Sequence, residues 1–195
     1  PVSDQAKIQE VAARYGVSQP YCIHVGTLQP RKNLGLLIEV WDILRHNMDS
    51  PPQLLLAGRR GWLYESLLES IRAKELGDLI KFADYVERED LPALYSGATA
   101  MTFPSLYECF GLPPLEAMSC GTPVLASNTS SLPEVVGDAG ILLDPRDAEA
   151  WAETLRGVIA NPELRAEMSR KGLQRAAQFT WERCARETLA LLNHG

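Results

Sequence analysis

Thr99-Ala100-Met101-Thr102-Phe103-Pro104-Ser105-Leu106-Tyr107-Glu108-Cys109-Phe110-Gly111-Leu112-Pro113-Pro114-Leu115-Glu116, residues 99–116, passes from a strand into a helix across one short loop. Residues 99–103 have strand length and are apolar on both faces, and Pro104 closes the run. Pro113-Pro114 presets a helix start, because proline's fixed φ suits the first turn and its missing N–H would find no partner there. On this reading Glu116 falls in the first helical turn. The amides of Cys109, Phe110, Gly111 and Leu112 stand free ahead of the prolines, a nest that suits a phosphate or sugar oxygen. Gly111 lets the backbone approach a ligand closely. Glu108 and Glu116 bring two carboxylates to one cleft from either side, where they accept hydrogen bonds from vicinal hydroxyls. A plainer reading has Glu116 complementing the positive helix end and Glu108 solvated on a loop.

The same strand-then-helix unit recurs outward in both directions. Apolar runs at 21–25, 54–57, 79–82, 123–126 and 141–143 join 99–103, each followed by helical spacing. Runs apolar on both faces and separated by helices predict a Rossmann-like, doubly wound parallel α/β sheet of about six strands. Gly26, Gly58, Pro104 and Ser127 punctuate the strand ends and mark the carboxyl edge, where such sheets hold ligands. Helices are expected at 34–44, 63–72, 91–96, 115–119, 148–159, 162–177 and 181–192. Asn33 and Asp147 are expected as N-caps, and Asn161-Pro162 as an N-cap followed by proline at the first helical position. Residues 1–20 read as a connector whose helix, 4–14, is closed by Gly16. Residues 21–178 read as the main domain, and 179–195 as a C-terminal helix.

The composition fits an ordinary globular domain: 195 residues, 46% apolar and 23% charged. That is enough chain for a sizeable core. Nineteen Lys plus Arg against 25 Asp plus Glu give −6, the wrong sign for gripping nucleic acid or an anionic membrane by bulk charge. The four cysteines include no Cys-x-x-Cys pair and no zinc-ligand rhythm, so free thiols in a reducing compartment are expected. No apolar run reaches membrane-span length and no signal pattern opens the chain, which makes the cytoplasm the expected location. The chain starts at Pro1 rather than Met, as a fragment would.

Two further loops carry chemistry. His24-Val25-Gly26-Thr27-Leu28-Gln29-Pro30-Arg31-Lys32-Asn33 leads a strand into a helix and places two cations beside its first amides, a combination that favours a diphosphate. Solvated surface cations are the alternative. Neither a Walker loop nor a Gly-x-Gly-x-x-Gly fingerprint occurs. Gly58-Arg59-Arg60-Gly61-Trp62 either adds cations to the same anion or is a turn with solvated arginines. His24 lies between Ile23 and Val25 on a strand and reads as packed rather than as a base.

Together these stretches resemble the nucleotide-sugar-binding half of GT-B glycosyltransferases of family 4, the retaining glycosyl group 1 type, from about Tyr21 to Trp181. The resemblance is carried by 25–34, by 104–108 through Glu116-Ala117-Met118 with its Glu-x7-Glu spacing, by 120–124 and by 131–137. The Pro-Arg-Lys-Asn run and residues 128–134 look most like the bacterial mannosyltransferase branch. The resemblance implies that Glu116 holds the donor ribose, and that Glu108 contacts the transferred hexose. Phe110, Gly111 and Leu112 would offer amides to sugar and phosphate, Arg31 and Lys32 would neutralise the leaving diphosphate, and Tyr85-Val86 would flank the base. Gly26, Thr27, Arg59 and Cys109 complete the expected donor site. GDP-mannose is the implied donor, with UDP-sugars next, and no metal or other cofactor is implied. Three positions depart from the pattern: Thr27 where many relatives have Arg, and Cys109 and Asp84 where Gly is usual.

GT-B enzymes close a cleft between two such domains, and the amino-terminal one supplies the acceptor pocket. The resemblance therefore implies that this chain binds a sugar nucleotide yet transfers nothing alone. Its partners would be the missing amino-terminal domain and a saccharide or lipid-linked acceptor, with the full enzyme able to lie at the inner membrane face. Two alternatives share the fold: a non-catalytic nucleotide-sugar-binding scaffold, and a nucleotide-sugar epimerase.

Overall fold

The computed structural model describes residues 1–62 and 64–193. Six strands, β1 (Tyr21–Val25), β2 (Gln53–Ala57), β3 (Ile80–Phe82), β4 (Ala100–Phe103), β5 (Val124–Ser127) and β6 (Ile141–Leu143), form one sheet. All pair in parallel, in the order β3-β2-β1-β4-β5-β6. Nine α-helices are described: α1 (Gln5–Arg14), α2 (Leu34–Asn47), α3 (Tyr64–Ala73), α4 (Leu91–Gly97), α5 (Leu112–Ser119), α6 (Leu132–Val136), α7 (Ala148–Ala160), α8 (Pro162–Ala176) and α9 (Trp181–Asn193).

Because successive strand residues point to opposite faces, the apolar strands feed two cores. Tyr21, Ile23, Met101 and Phe103 pack with α1, α4, α5 and α6 on one face, while Cys22, Leu54, Leu56 and Ala100 pack with α2, α3 and α7 on the other. The large buried rings are satisfied: Tyr21 donates to the Leu94 carbonyl at 2.7 Å, Trp41 to Pro52 at 2.7 Å and Trp151 to Asp144 at 2.9 Å. Asp4 caps α1, which packs on α4 and sends Val11 and Ala12 into the first core.

Several local expectations need correction. Asn33 does not cap α2: it adopts a left-handed conformation, φ 55°, and its side-chain amide donates to the Pro145 carbonyl at 2.8 Å. Helix α5 begins at Leu112 rather than near 115, because both prolines fit inside the first turn where their missing N–H groups cost nothing. Glu116 consequently lies in the second turn. Ser127 ends β5 from within, and α6 was not expected at all. Leu63, where one expected helix began, and residues 194–195 lie outside the described residues. Asp147 and Asn161 cap α7 and α8 as expected. The apolar side chains of α9 are open, with Trp181 78% and Leu191 79% exposed.

Candidate functional site

The carboxyl ends of β1 and β4 adjoin, and the loops that leave them meet above the sheet edge. After β1, Pro30–Lys32 forms one turn of 3-10 helix that drives Lys32 inward, where only 6% of it is exposed. Its stem needs Gly26: a Cβ there would lie 3.1 Å from Lys32 Cε. Lys32 Nζ donates to Glu108 Oε1 at 2.6 Å and sits 4.7 Å from the centre of the Phe103 ring. Arg31 Nη1 reaches the same carboxylate oxygen at 2.9 Å and also donates to the Tyr107 carbonyl. The Leu106 amide donates to the Arg31 carbonyl at 2.9 Å, tying the two loops by backbone as well. Arg31 and Lys32, neighbours in sequence, thus share one ionic cluster with Glu108, 76 residues beyond Lys32.

Burial by itself would raise the Glu108 carboxyl, but the hydrogen bond and charge of Lys32, with the Arg31 hydrogen bond, outweigh it and hold Glu108 below the usual carboxylate value. The carboxylate is therefore ionised near neutral pH while two cations face it. Such a cluster is able to exchange partners: an arriving diphosphate can take the cations, and hydroxyls can take the carboxylate.

The loop from Ser105 to Gly111 is held from below by the segment before α6. Ser131 Oγ bonds to the carbonyls of Glu108 at 2.9 Å and Phe110 at 2.8 Å, and the Glu108 amide donates to Ser130 Oγ at 3.0 Å. Gly111 has φ +114°, and a Cβ would lie 2.9 Å from Leu132 Cδ2, so only glycine fits this bend. Among the described residues no acceptor faces the amides of Cys109, Phe110, Gly111 or Leu112, the nest ahead of α5. Cys109 is exposed and keeps negative φ, so its Cβ brings no backbone strain to the loop. Phe110, 41% exposed, meets Phe179 edge-on at 5.9 Å. Serines 130 and 131 and Tyr95 were missed as contributors. The 131–137 run was visible as a signature, but nothing in it disclosed which loop it supports.

Glu116 stands apart from the ionic cluster. It is exposed, and it accepts from Tyr95 Oη at 3.1 Å, a phenol that burial pushes well above its ordinary value. A third group lies beyond β2 and β3. The Arg59 guanidinium covers the Tyr85 ring at 5.4 Å, and Val86 is buried in the core. Arg60 grips Asp84 with two bonds of 2.7 and 3.0 Å, so of the two arginines in this loop Arg60 is already committed. Asp84 has φ +42°, the left-handed conformation that explains why glycine suits this position. Thr27 is exposed at the mouth of the β1 loop.

His24 is packed, as its place on the strand implied. Nδ1 meets the Thr102 carbonyl at 3.0 Å, the ring stacks on Phe103, and Nε2 has no partner among the described residues. Burial above all, with the nearby Lys32 charge, lowers its pKa to about 4. No described helix is long and apolar enough to cross a membrane.

Comparison with known proteins gives a consistent result. The family of glycosyl transferases group 1 matches residues 8–175. O-antigen chain mannosyltransferase B of Escherichia coli is 41% identical over 171 residues, 88% of this chain and 45% of its own length. The structure of sucrose-phosphate synthase from Thermosynechococcus elongatus superposes with a TM-score of 0.84 at 29% identity, over 100% of this chain and 49% of its own. The Anabaena HepE structure in complex with UDP and glucose has a TM-score of 0.87 at 22% identity, over 99% of this chain and 53% of its own, a likeness of fold. The chain therefore spans about half the length of the relatives it matches.

Proposed function

The chain belongs to the group 1 glycosyl transferases, and from that premise we propose that it is the donor-binding half of a retaining hexosyltransferase. The donor is a nucleotide sugar, GDP-mannose by preference and a UDP-sugar next, and the acceptor is a saccharide or lipid-linked saccharide held by an amino-terminal domain. The observation that carries this reading is the Lys32–Glu108–Arg31 cluster beside the open amides of the 109–112 nest. The name of the Escherichia coli relative supports mannose, and the UDP and glucose of the Anabaena structure support a nucleotide sugar as the ligand class.

In this reading the diphosphate displaces Glu108 from Lys32 and Arg31, and its oxygens take the amides of Phe110, Gly111 and Leu112. Glu108, released, accepts from hydroxyls of the hexose, while Glu116 accepts from those of the ribose. As the glycosidic bond breaks, the sugar takes on oxocarbenium character and the diphosphate gains negative charge. Fixed cations and helix-end amides bind that growing charge more tightly than the ground state, which lowers the barrier. Tyr85 and Val86 flank the base, with Arg59 beside them.

Titration calorimetry of the chain with GDP, UDP and ADP tests the reading. One nucleotide should bind preferentially, and Glu116→Ala should weaken it by about 1–3 kcal/mol, the cost of losing a charged hydrogen-bond partner. Equal affinity for all three in wild type and variant, or no binding of any, would overturn it. Added acceptor should yield no transfer from the chain alone.

A further inference from the structure

Beside the Pro30–Lys32 turn, lined by Pro30 but not by Glu108, lies a cavity of about 290 Å³ between the start of α2 and α3. Its walls include Leu28, Gln29, Leu34, Gly35, Trp62 and Tyr64. Trp62 is 70% exposed, and what holds it there is backbone. The Leu28 amide donates to the Arg59 carbonyl and the Gly61 amide to the Leu28 carbonyl, each at 2.9 Å, zipping the two loops together. Gly61 makes that approach possible, since a Cβ would lie 2.5 Å from the Leu28 oxygen. Tyr64 is fixed too, edge-on to Phe82 and under the Arg60 guanidinium at 4.9 Å. A turn tied by backbone bonds therefore carries an exposed indole beside a concavity. Polar groups share the cavity: Gln29 lies in the wall, and α2 opens there without a side-chain cap, because Asn33 is turned to Pro145.

We propose that this cavity is a carbohydrate subsite that takes one hexopyranose unit of a glycan, stacked on Trp62. A pyranose has an apolar C–H face that suits an exposed aromatic ring, and a rim of hydroxyls that suits Gln29 and the first-turn amides of Leu34 and Gly35, which have no acceptor among the described residues. A membrane surface fits less well. The guanidinium of Arg60 is spent on Asp84, Arg59 lies over Tyr85, and the chain carries −6 overall. The subsite shares its loop with Arg31 and Lys32, so a glycan bound here lies one turn of chain from the donor site. The inference builds on the glycosyltransferase reading above, but its test needs no nucleotide.

The test is tryptophan fluorescence of the whole chain, titrated with α-mannotriose. Trp41 and Trp151 are fully buried, leaving Trp62 and Trp181 as the exposed reporters. In a Trp181→Phe background the emission should change saturably with millimolar affinity. Adding Trp62→Ala should abolish the change, while circular dichroism and nucleotide titration stay as in wild type. Gln29→Ala should weaken the sugar at least several-fold without removing the reporter. No saturable change, or a change that survives Trp62→Ala, would overturn the proposal. So would a response of Trp62 to anionic phospholipid vesicles and none to the sugar. Failure of nucleotide binding with the sugar response intact would count against the donor reading alone.

Discussion

Glu108→Gln keeps the shape of the side chain and removes its charge. The Lys32 side chain is then left buried with its 2.6 Å counter-ion gone. Removing one member of a buried pair costs about 3–5 kcal/mol; here the glutamine oxygen still accepts and the Phe103 ring still faces the ammonium, so about 3 kcal/mol is expected. At about 2–4 °C per kcal/mol for a chain of this size, the melting temperature should fall by about 6–12 °C. Lys32→Met should cost only about 1 kcal/mol, because Glu108 keeps Arg31 at 2.9 Å. With both charges gone, the double variant should lose about 1–2 kcal/mol rather than the sum of about 4, a coupling of about 2–3 kcal/mol. Urea unfolding of the four proteins, followed by circular dichroism near pH 7, measures every term. A loss below about 1 kcal/mol for Glu108→Gln, or additive losses within about 0.5 kcal/mol, would refute the view that these charges depend on one another.

Acid should destabilise the chain in two windows. An unfolded imidazole protonates at its ordinary 6.5 but buried His24 only at about 4, so stability falls as pH drops from 6.5 and the loss is complete below 4. Glu108, held below its ordinary 4.5 by Lys32 and Arg31, and Asp42 on α2, held below 3.8 by the Lys74 ammonium at 2.6 Å, withdraw their contributions as pH falls further. In His24→Gln the upper window should be flat in urea midpoints, and an unchanged slope would count against the assignment. Ser131→Ala removes the hydroxyl that holds the Glu108 and Phe110 carbonyls. It should lower nucleotide affinity by about 1 kcal/mol with little change in melting temperature, and equal affinity would mean the loop is held without it.

The sheet was legible because each strand carries its own signal: 21–25 or 99–103 are buried on both faces, and no other short element tolerates that. Helices with a capping side chain, such as those after Asp147 and Asn161, were placed to within a residue or two for the same local reason. Asn33 misled because asparagine suits a left-handed turn as well as an N-cap, and the carbonyl that decides between them, Pro145, is 112 residues away. In the candidate site the residue types and loops were readable, and so was the gathering of Arg31, Lys32 and Glu108 near one edge. Their mutual pairing was not, since it depends on which loops the strand order brings together. Ser131 and Tyr95 were hidden for that reason: their work is done on partners more than 20 residues distant.

The strand order has a mechanical consequence. Chain up to β3 builds one wing of the sheet outward from β1, and chain from β4 onward builds the other. The register joining the wings covers only Cys22 with Ala100 and Ile23 with Met101, against all five residues of β1 along β2. Lys32 and Arg31 belong to the first wing and Glu108 to the second, so the ionic cluster is a clasp closed across the seam. A ligand held by both wings would rivet them together. Amide exchange along β1 and β4 should therefore slow when the site is filled, at positions the ligand never touches.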